Sequence, residues 1–199
     1  RSKASTVSVT ITLDELLASR DRRHAMQQRL LAMYPGLTPV VLTVVMPGSV
    51  KQTRSAAIVA QAGLEALQAA FGPVRVIRDL RTGYEAYWLT DLGAEEAKRR
   101  CVAIEEQHPL GRLMDIDVIT ADCVPFSRAD LQSPPRRCLI CGRPARECMR
   151  SAAHPLQQLL QRIDSICNEH IPKSDSAGHL PLHSGQTDGV DQIPAIVRS

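Results

Sequence analysis

The chain has 199 residues, 44% of them hydrophobic and 23% charged, with a formal net charge of +3. That size and balance predict one globular domain with a substantial core, and no run of about 18 apolar residues exists to cross a bilayer, so a membrane partner is excluded. Aromatic residues make up only 3%, too few for the stacking platforms of single-strand nucleic-acid binders, which argues against a nucleic-acid partner.

The opening "RSKASTVSVT" is basic but is followed by the charged "ITLDELLASRDRR" rather than an apolar core, so no export signal is read and a cytoplasmic location is expected. Thr12 and Glu15 have capping-box spacing, and a helix is predicted from there to Pro35-Gly36. The apolar, β-branched "TPVVLTVVMPG" predicts a buried central strand. From Thr53, apolar residues at 57, 60, 64, 67 and 71 recur at spacings of three and four, predicting an amphipathic helix ended by Gly72-Pro73.

"VRVIRDLRTGYEAYWLTDL" predicts two strands around Thr82-Gly83. Ala94, Ala97, Cys101 and Ile104 mark a further helix ending near His108-Pro109, where His108 is read as a capping or packing residue. A strand over 113–119 follows, then a loop, then a cysteine-rich stretch. Leu156, Leu159, Leu160, Ile163, Ile166 and Cys167 predict the last helix. After Pro172 the composition turns to Ser, Gly, Pro and Asp without periodicity. The expected organisation is therefore one domain over 1–171 and a disordered tail over 172–199. Its fold class is α+β, a small mixed sheet with flanking helices.

Within "GRLMDIDVIT", strand alternation sends Met114, Ile116 and Val118 to one face and Leu113, Asp115, Asp117 and Ile119 to the other. The two carboxylates then stand ~7 Å apart along the strand, where like charges repel unless a cation or strong donors lie between them. One reading is a solvated strand face. The other is a grip on Mg²⁺ that bridges the phosphates of a triphosphate, with Gly111 allowing close backbone approach and Arg112 offering a fork of donors to phosphate. Lys51, after the Pro47-Gly48 turn, is a second phosphate candidate. Asp122 lies past the strand end and out of phase, so no third carboxylate is identified.

Six cysteines in a chain without an export signal are expected to be thiols, metal ligands or core residues rather than disulfides. Cys138, Cys141 and Cys148, followed by His154, have the ligand types and first-pair spacing that suit structural Zn²⁺; the alternative is a loop of buried or free thiols. Within the same segment, 134–154, Pro134 and Pro135 stiffen the approach. From Arg128 to Arg150 six arginines, among them Arg136 and Arg137, face only Asp130 and Glu147. Such a surface attracts anions, either phosphates or an acidic protein, or it is simply solvated.

"SRDRR", "VVMPGSVK", "EEQHPLGRLMDIDVIT", "FSRADL" and "PPRRCLICGRPARECMRS" occur in an order that resembles the apo-citrate lyase phosphoribosyl-dephospho-CoA transferases, the holo-acyl-carrier-protein synthases of citrate lyase. The resemblance covers residues 12 to 170. It implies a nucleotidyltransferase that uses triphosphoribosyl-dephospho-CoA as donor and the acyl carrier subunit of citrate lyase as acceptor. A carrier serine attacks the α-phosphorus and pyrophosphate leaves. Asp115 and Asp117 would hold Mg²⁺, Arg112 would stabilise phosphate charge, and Gly111, Lys51, Arg136 and Arg137 would bind substrate. The Gly…Asp-x-Asp arrangement is similar to that of polymerase-β-type nucleotidyltransferases. Those enzymes place a Gly-Ser pair well before the acids, whereas Gly111 directly precedes this strand. Two other classes remain open. A zinc-bearing nucleic-acid module would use the cysteines and arginines, and a non-catalytic carrier-binding assembly factor would use the basic surface but leave Asp115 and Asp117 unexplained.

Overall fold

The structure, a computed structural model, describes residues 10–170, so the expected disordered tail lies outside the described residues. Helix α1 (Leu13–Met33) starts at the predicted capping box. The Thr12 hydroxyl accepts from the Glu15 N–H at 3.2 Å, and the Glu15 carboxylate accepts from the Thr12 N–H at 2.8 Å. Strand β1 (Thr38–Val44) follows, then α2 (Arg54–Phe71), capped by the Thr53 hydroxyl and ended at Gly72. Strands β2 (Val76–Leu80) and β3 (Gly83–Thr90) form the expected hairpin, turning through Arg81 and Thr82.

After α3 (Ala94–Gln107) a 3₁₀ turn over Gly111–Leu113 feeds β4 (Met114–Ile119). Strand β5 (Pro125–Phe126) and the short helix α4 (Ala145–Arg150) fall in stretches with no periodicity, and sequence reading misses both. Helix α5 (Leu156–His170) closes the described chain and buries Ile163 and Cys167.

The sheet order is β2-β3-β1-β4-β5, with β1 central as its unbroken apolar run predicts. The α+β expectation holds, and every strand pairing is antiparallel rather than mixed. The hairpin explains this: β2 follows the α2 crossover, but its return strand β3 is the one set beside β1, so no parallel neighbours arise.

Each face of the sheet buries its own cluster. Val40, Leu42, Trp88, Met114, Ile116 and Val118 pack with Val59 and Leu67 of α2, Cys101 of α3 and Ile163 of α5. On the opposite face Val41, Tyr87, Leu89 and Ile119 meet Met26 and Leu30 of α1. That second cluster covers only one end of its face, and the acidic pair stands beyond it.

Candidate functional site

The alternation read from the sequence holds along β4. Met114, Ile116 and Val118 are buried in the main core, while Asp115 and Asp117 are half-buried on the α1 side of the sheet. Leu113 departs from the expectation of sharing the acids' face: it lies in the 3₁₀ turn, outside the strand's alternation, and is fully buried in the main core.

The register places Asp117 opposite Val41 and Asp115 opposite Thr43 of β1. One strand further, Val41 faces Tyr87 and Thr43 faces Glu85. A third carboxylate, Glu85, therefore stands on the acids' face, in the Asp115 row. Sequence reading missed it. A charged residue inside the apolar "YEAYWL" was the available signal.

Glu85 is held in place by the Arg23 guanidinium of α1 at 2.9 Å, by Arg78 at 3.6 Å and by the Tyr87 hydroxyl, which donates at 2.7 Å. The inner face of α1 reads Ser19, Arg23, Met26 and Leu30, polar in its first half and apolar in its second. The helix thus delivers Arg23 to the acids' face while Met26 and Leu30 close the apolar end.

The strand that carries the acids is pinned from its outer side. Ile116, between them, has its carbonyl bound by the Lys98 ammonium at 2.6 Å and its N–H bound by the Glu105 carboxylate at 3.0 Å. Both groups come from α3 and are buried. Where β5 is too short to complete the ladder, two charged side chains complete it, and the backbone between Asp115 and Asp117 is fixed.

Among the described residues Asp117 makes no hydrogen bond or ion pair. Burial raises its pKa above the ordinary carboxylate value and the Asp115 charge adds to this, with Lys98 and Arg23 acting in opposition. Asp115 is engaged: Arg136 donates to its carboxylate at 2.7 Å, and also to the carbonyls of Met114 at 2.6 Å and Arg112 at 3.0 Å. Two carboxylates of one sign, one of them without a partner, on a fixed strand, are a donor set suited to a hard divalent cation such as Mg²⁺.

Beside them opens a cleft of about 260 Å³ lined by Arg112, Arg128, Arg136 and Arg137 with Glu105, Glu106, Pro134 and Pro135. Both glutamates pair with Arg128, which leaves Arg112, Arg136 and Arg137 as its positive lining. Arg112 spends one amino group on the carbonyls of Arg137 at 2.7 Å and Cys138 at 2.6 Å, and the rest of its fork is exposed. The structure thus brings Asp115 to Arg136 and sets Arg112 and Arg137 with Arg136 along the cleft, while Asp117 shares the face of Asp115 without touching an arginine of the cleft.

The other predicted site residues have local tasks. Lys51 donates its ammonium to the Met46 carbonyl and closes the loop after β1; burial, then nearby Arg20, lowers its pKa. Gly111 is buried, and a Cβ there would meet the α3 carbonyls of Ile104 at 2.4 Å and Glu105 at 2.6 Å, so it serves close packing of the turn on the helix. His108 caps the segment after α3, accepting from the Leu110 N–H at 3.0 Å.

Cys138, Cys141, Cys148 and His154 converge, with their ligand atoms all within 4.8 Å of one another. The Cys141 and Cys148 sulfurs are 3.5 Å apart, and the His154 Nε2 lies 3.3 Å from the Cys141 sulfur. Tetrahedral zinc with three sulfurs and one nitrogen requires edges of roughly 3.5–3.8 Å, so this cluster can hold a metal ion and suits zinc. The backbone is shaped for it: Cys138 and Arg143 pair through an N–H···O bond of 2.6 Å, the Ile140 N–H points at the Cys138 sulfur at 3.5 Å, and Gly142 supplies the φ of +71° that turns the chain back.

The family model of apo-citrate lyase phosphoribosyl-dephospho-CoA transferases (CitX) matches residues 11–170. The chain is 37% identical over 166 residues to the enzyme of that name from Citrobacter koseri, covering 80% of this chain and 90% of the relative. A probable apo-citrate lyase phosphoribosyl-dephospho-CoA transferase from Streptococcus pyogenes is 30% identical over 174 residues, covering 84% and 91%. Protein CitXG of Haemophilus influenzae is 35% identical over 182 residues; this chain spans only 38% of its length.

Proposed function

The chain belongs to the apo-citrate lyase phosphoribosyl-dephospho-CoA transferase family, and from that premise we propose that it transfers the 2'-(5''-phosphoribosyl)-3'-dephospho-CoA group from its triphosphate precursor to a serine of the citrate lyase acyl carrier subunit. The observation that carries the reading is the placement of Asp115 and Asp117 on one face of a pinned strand, with Arg136 joining Asp115 to a cleft that Arg112 and Arg137 also line. The family match over residues 11–170 supports reading that span as the transferase domain expected over 1–171. Mg²⁺ on the two aspartates would supply charge neutralisation on the triphosphate, and Zn²⁺ is the metal suited to the thiol cluster. Thiols left unbridged, as all six are, suit action in the reducing cytoplasm.

In this reading Arg112, Arg136 and Arg137 take the phosphates, fixing the α-phosphorus at the acidic face. The serine oxygen forms a bond to that phosphorus. The bond from the α-phosphorus to the bridging oxygen breaks, and pyrophosphate leaves with the electron pair. The serine proton passes to a carboxylate, one of the two aspartates or a third acid beside them. Charge gathering on the departing pyrophosphate is met by the arginine lining.

The test is mass spectrometry of the apo-carrier after incubation with the triphosphate donor and Mg²⁺, with Asp117→Asn as control. A gain equal to the prosthetic group with release of one pyrophosphate, absent in the control, is expected. An unmodified carrier would favour a carrier-binding factor without catalysis. A salt-dependent complex with oligonucleotides in place of transfer would favour the nucleic-acid module.

A further inference from the structure

The stretch from Ser127 to Pro155 is ordered without a core of its own. Its only buried residues are Cys138 and Cys148, and its regular structure is the one bridge between Arg137 and Pro144 and the six residues of α4. Met149 on that helix is 79% exposed. Leu139 packs on the main core and Arg128 and Arg136 tie the first half of the stretch to α3 and β4, but the half from Ile140 to Pro155 has no such anchor to the body except through its sulfurs. The two buried sulfurs are not bridged; they converge with Cys141 and His154 on one point.

The same backbone holds the arginines of the cleft. The Arg136 carbonyl accepts from the Ala145 N–H at 2.8 Å, so the strand leading into the cluster is tied to the strand leaving it. Arg136, two residues before the first thiol, reaches Asp115, and the carbonyls of Arg137 and Cys138 hold Arg112. We infer that zinc bound by Cys138, Cys141, Cys148 and His154 is the structural fastener of this arm, and that it sets Arg112 and Arg136 in place as a phosphate-binding pair. This rests on the reading of these arginines as phosphate contacts. It adds that the anion-binding half of the site is metal-dependent, whereas the acidic half on β4 is not.

Metal affinity and arm order are then one equilibrium, because the ligands are brought together only when the arm is folded. Loss of zinc would free the arm while the sheet and helices remain, since none of the buried residues of either core cluster except Cys167 and Ile163 lies beyond β4, and those two are held by α5.

The experiment uses the full chain purified without a metal-affinity tag, in three parts: zinc content by mass spectrometry, tryptic cleavage after Arg136, Arg137 and Arg146, and affinity for inorganic triphosphate by calorimetry. One zinc per chain is expected. Removal with a strong chelator, or His154→Ala, should expose the arginines to trypsin and weaken triphosphate binding by about tenfold or more. Far-ultraviolet circular dichroism should stay near the starting signal. His154→Cys, which keeps four zinc ligands, should retain metal, protection and affinity. Zinc well below one per chain, a Cys141–Cys148 disulfide in its place, or zinc whose removal changes neither cleavage nor affinity would each overturn the inference. None of these readouts uses carrier modification, so a failure here is separate from a failure of the transferase reading.

Discussion

Lys98 and Glu105, seven residues apart on one face of α3, bind the two backbone groups of the same residue, Ile116, which stands between Asp115 and Asp117. Both side chains are buried, at 5% and 4% exposure, so neither can turn to water if the other is lost. Lys98→Met should leave the Ile116 carbonyl without a partner and remove one of the two cations, with Arg23, that oppose the burial of Asp117. A destabilisation of about 3 kcal/mol is expected in urea unfolding. Crystals of the variant should show β4 displaced from α3 at Ile116.

Asp117 should separate stability from function. Its pKa is raised by burial first and by the Asp115 charge second, so the ionised form is disfavoured in the folded state. The protonated form favours folding most fully below the ordinary carboxylate pKa, and this contribution disappears as pH rises through the higher folded value. Asp117→Asn should therefore raise the melting temperature at pH 7, by about 2–4 °C for each kcal/mol recovered, and flatten its dependence on pH above 4. Transfer should fall below detection in the same protein. A melting temperature that drops would show that Asp117 has a stabilising partner.

Much of this arrangement was legible in the sequence because period and punctuation carry it: the capping box of α1, the apolar run of β1, the alternation of β4 and the thiol spacing all reappear in three dimensions. What escaped has a common cause. Lys98 and Glu105 are charged residues on a buried face, and Glu85 sits in a central strand, where burial is granted only by a partner distant in sequence. Arg23 lies on a helix whose inner face changes from polar to apolar midway, so no single stripe marks it. In the arm the prolines, thiols and arginines were legible, but helix α4 and the bridge between Arg137 and Pro144 were not, since no apolar spacing marks them.

Arg136 makes three contacts at the site, to the Asp115 carboxylate and to the carbonyls of Met114 and Arg112. Arg136→Ala should lower transfer by about 10²-fold at saturating carrier, the scale of one lost charge-stabilising donor. Arg136→Lys keeps the charge but cannot span three acceptors in a plane, so it should recover only part of the loss. Comparing the two in a pyrophosphate-release assay separates charge from geometry; equal rates for lysine and arginine would mean that the planar fork is dispensable.

Gly111 tests whether the turn before β4 is a packing device. An added Cβ would sit 2.4 Å from the Ile104 carbonyl oxygen and 2.6 Å from that of Glu105, both backbone atoms of α3. Neither can move without carrying the helix, and the helix carries Lys98 and Glu105. Gly111→Ala should thus cost at least the 1–3 kcal/mol of an overpacked core position and loosen the grip on Ile116 as well. Amide hydrogen exchange would report this directly: the Ile116 N–H, bound by Glu105, should lose more protection than the β1 amides that face β3. If β4 and β1 lose protection equally, the turn and the strand unfold with the whole domain, and the separate coupling of Gly111 to the acidic pair is disproved.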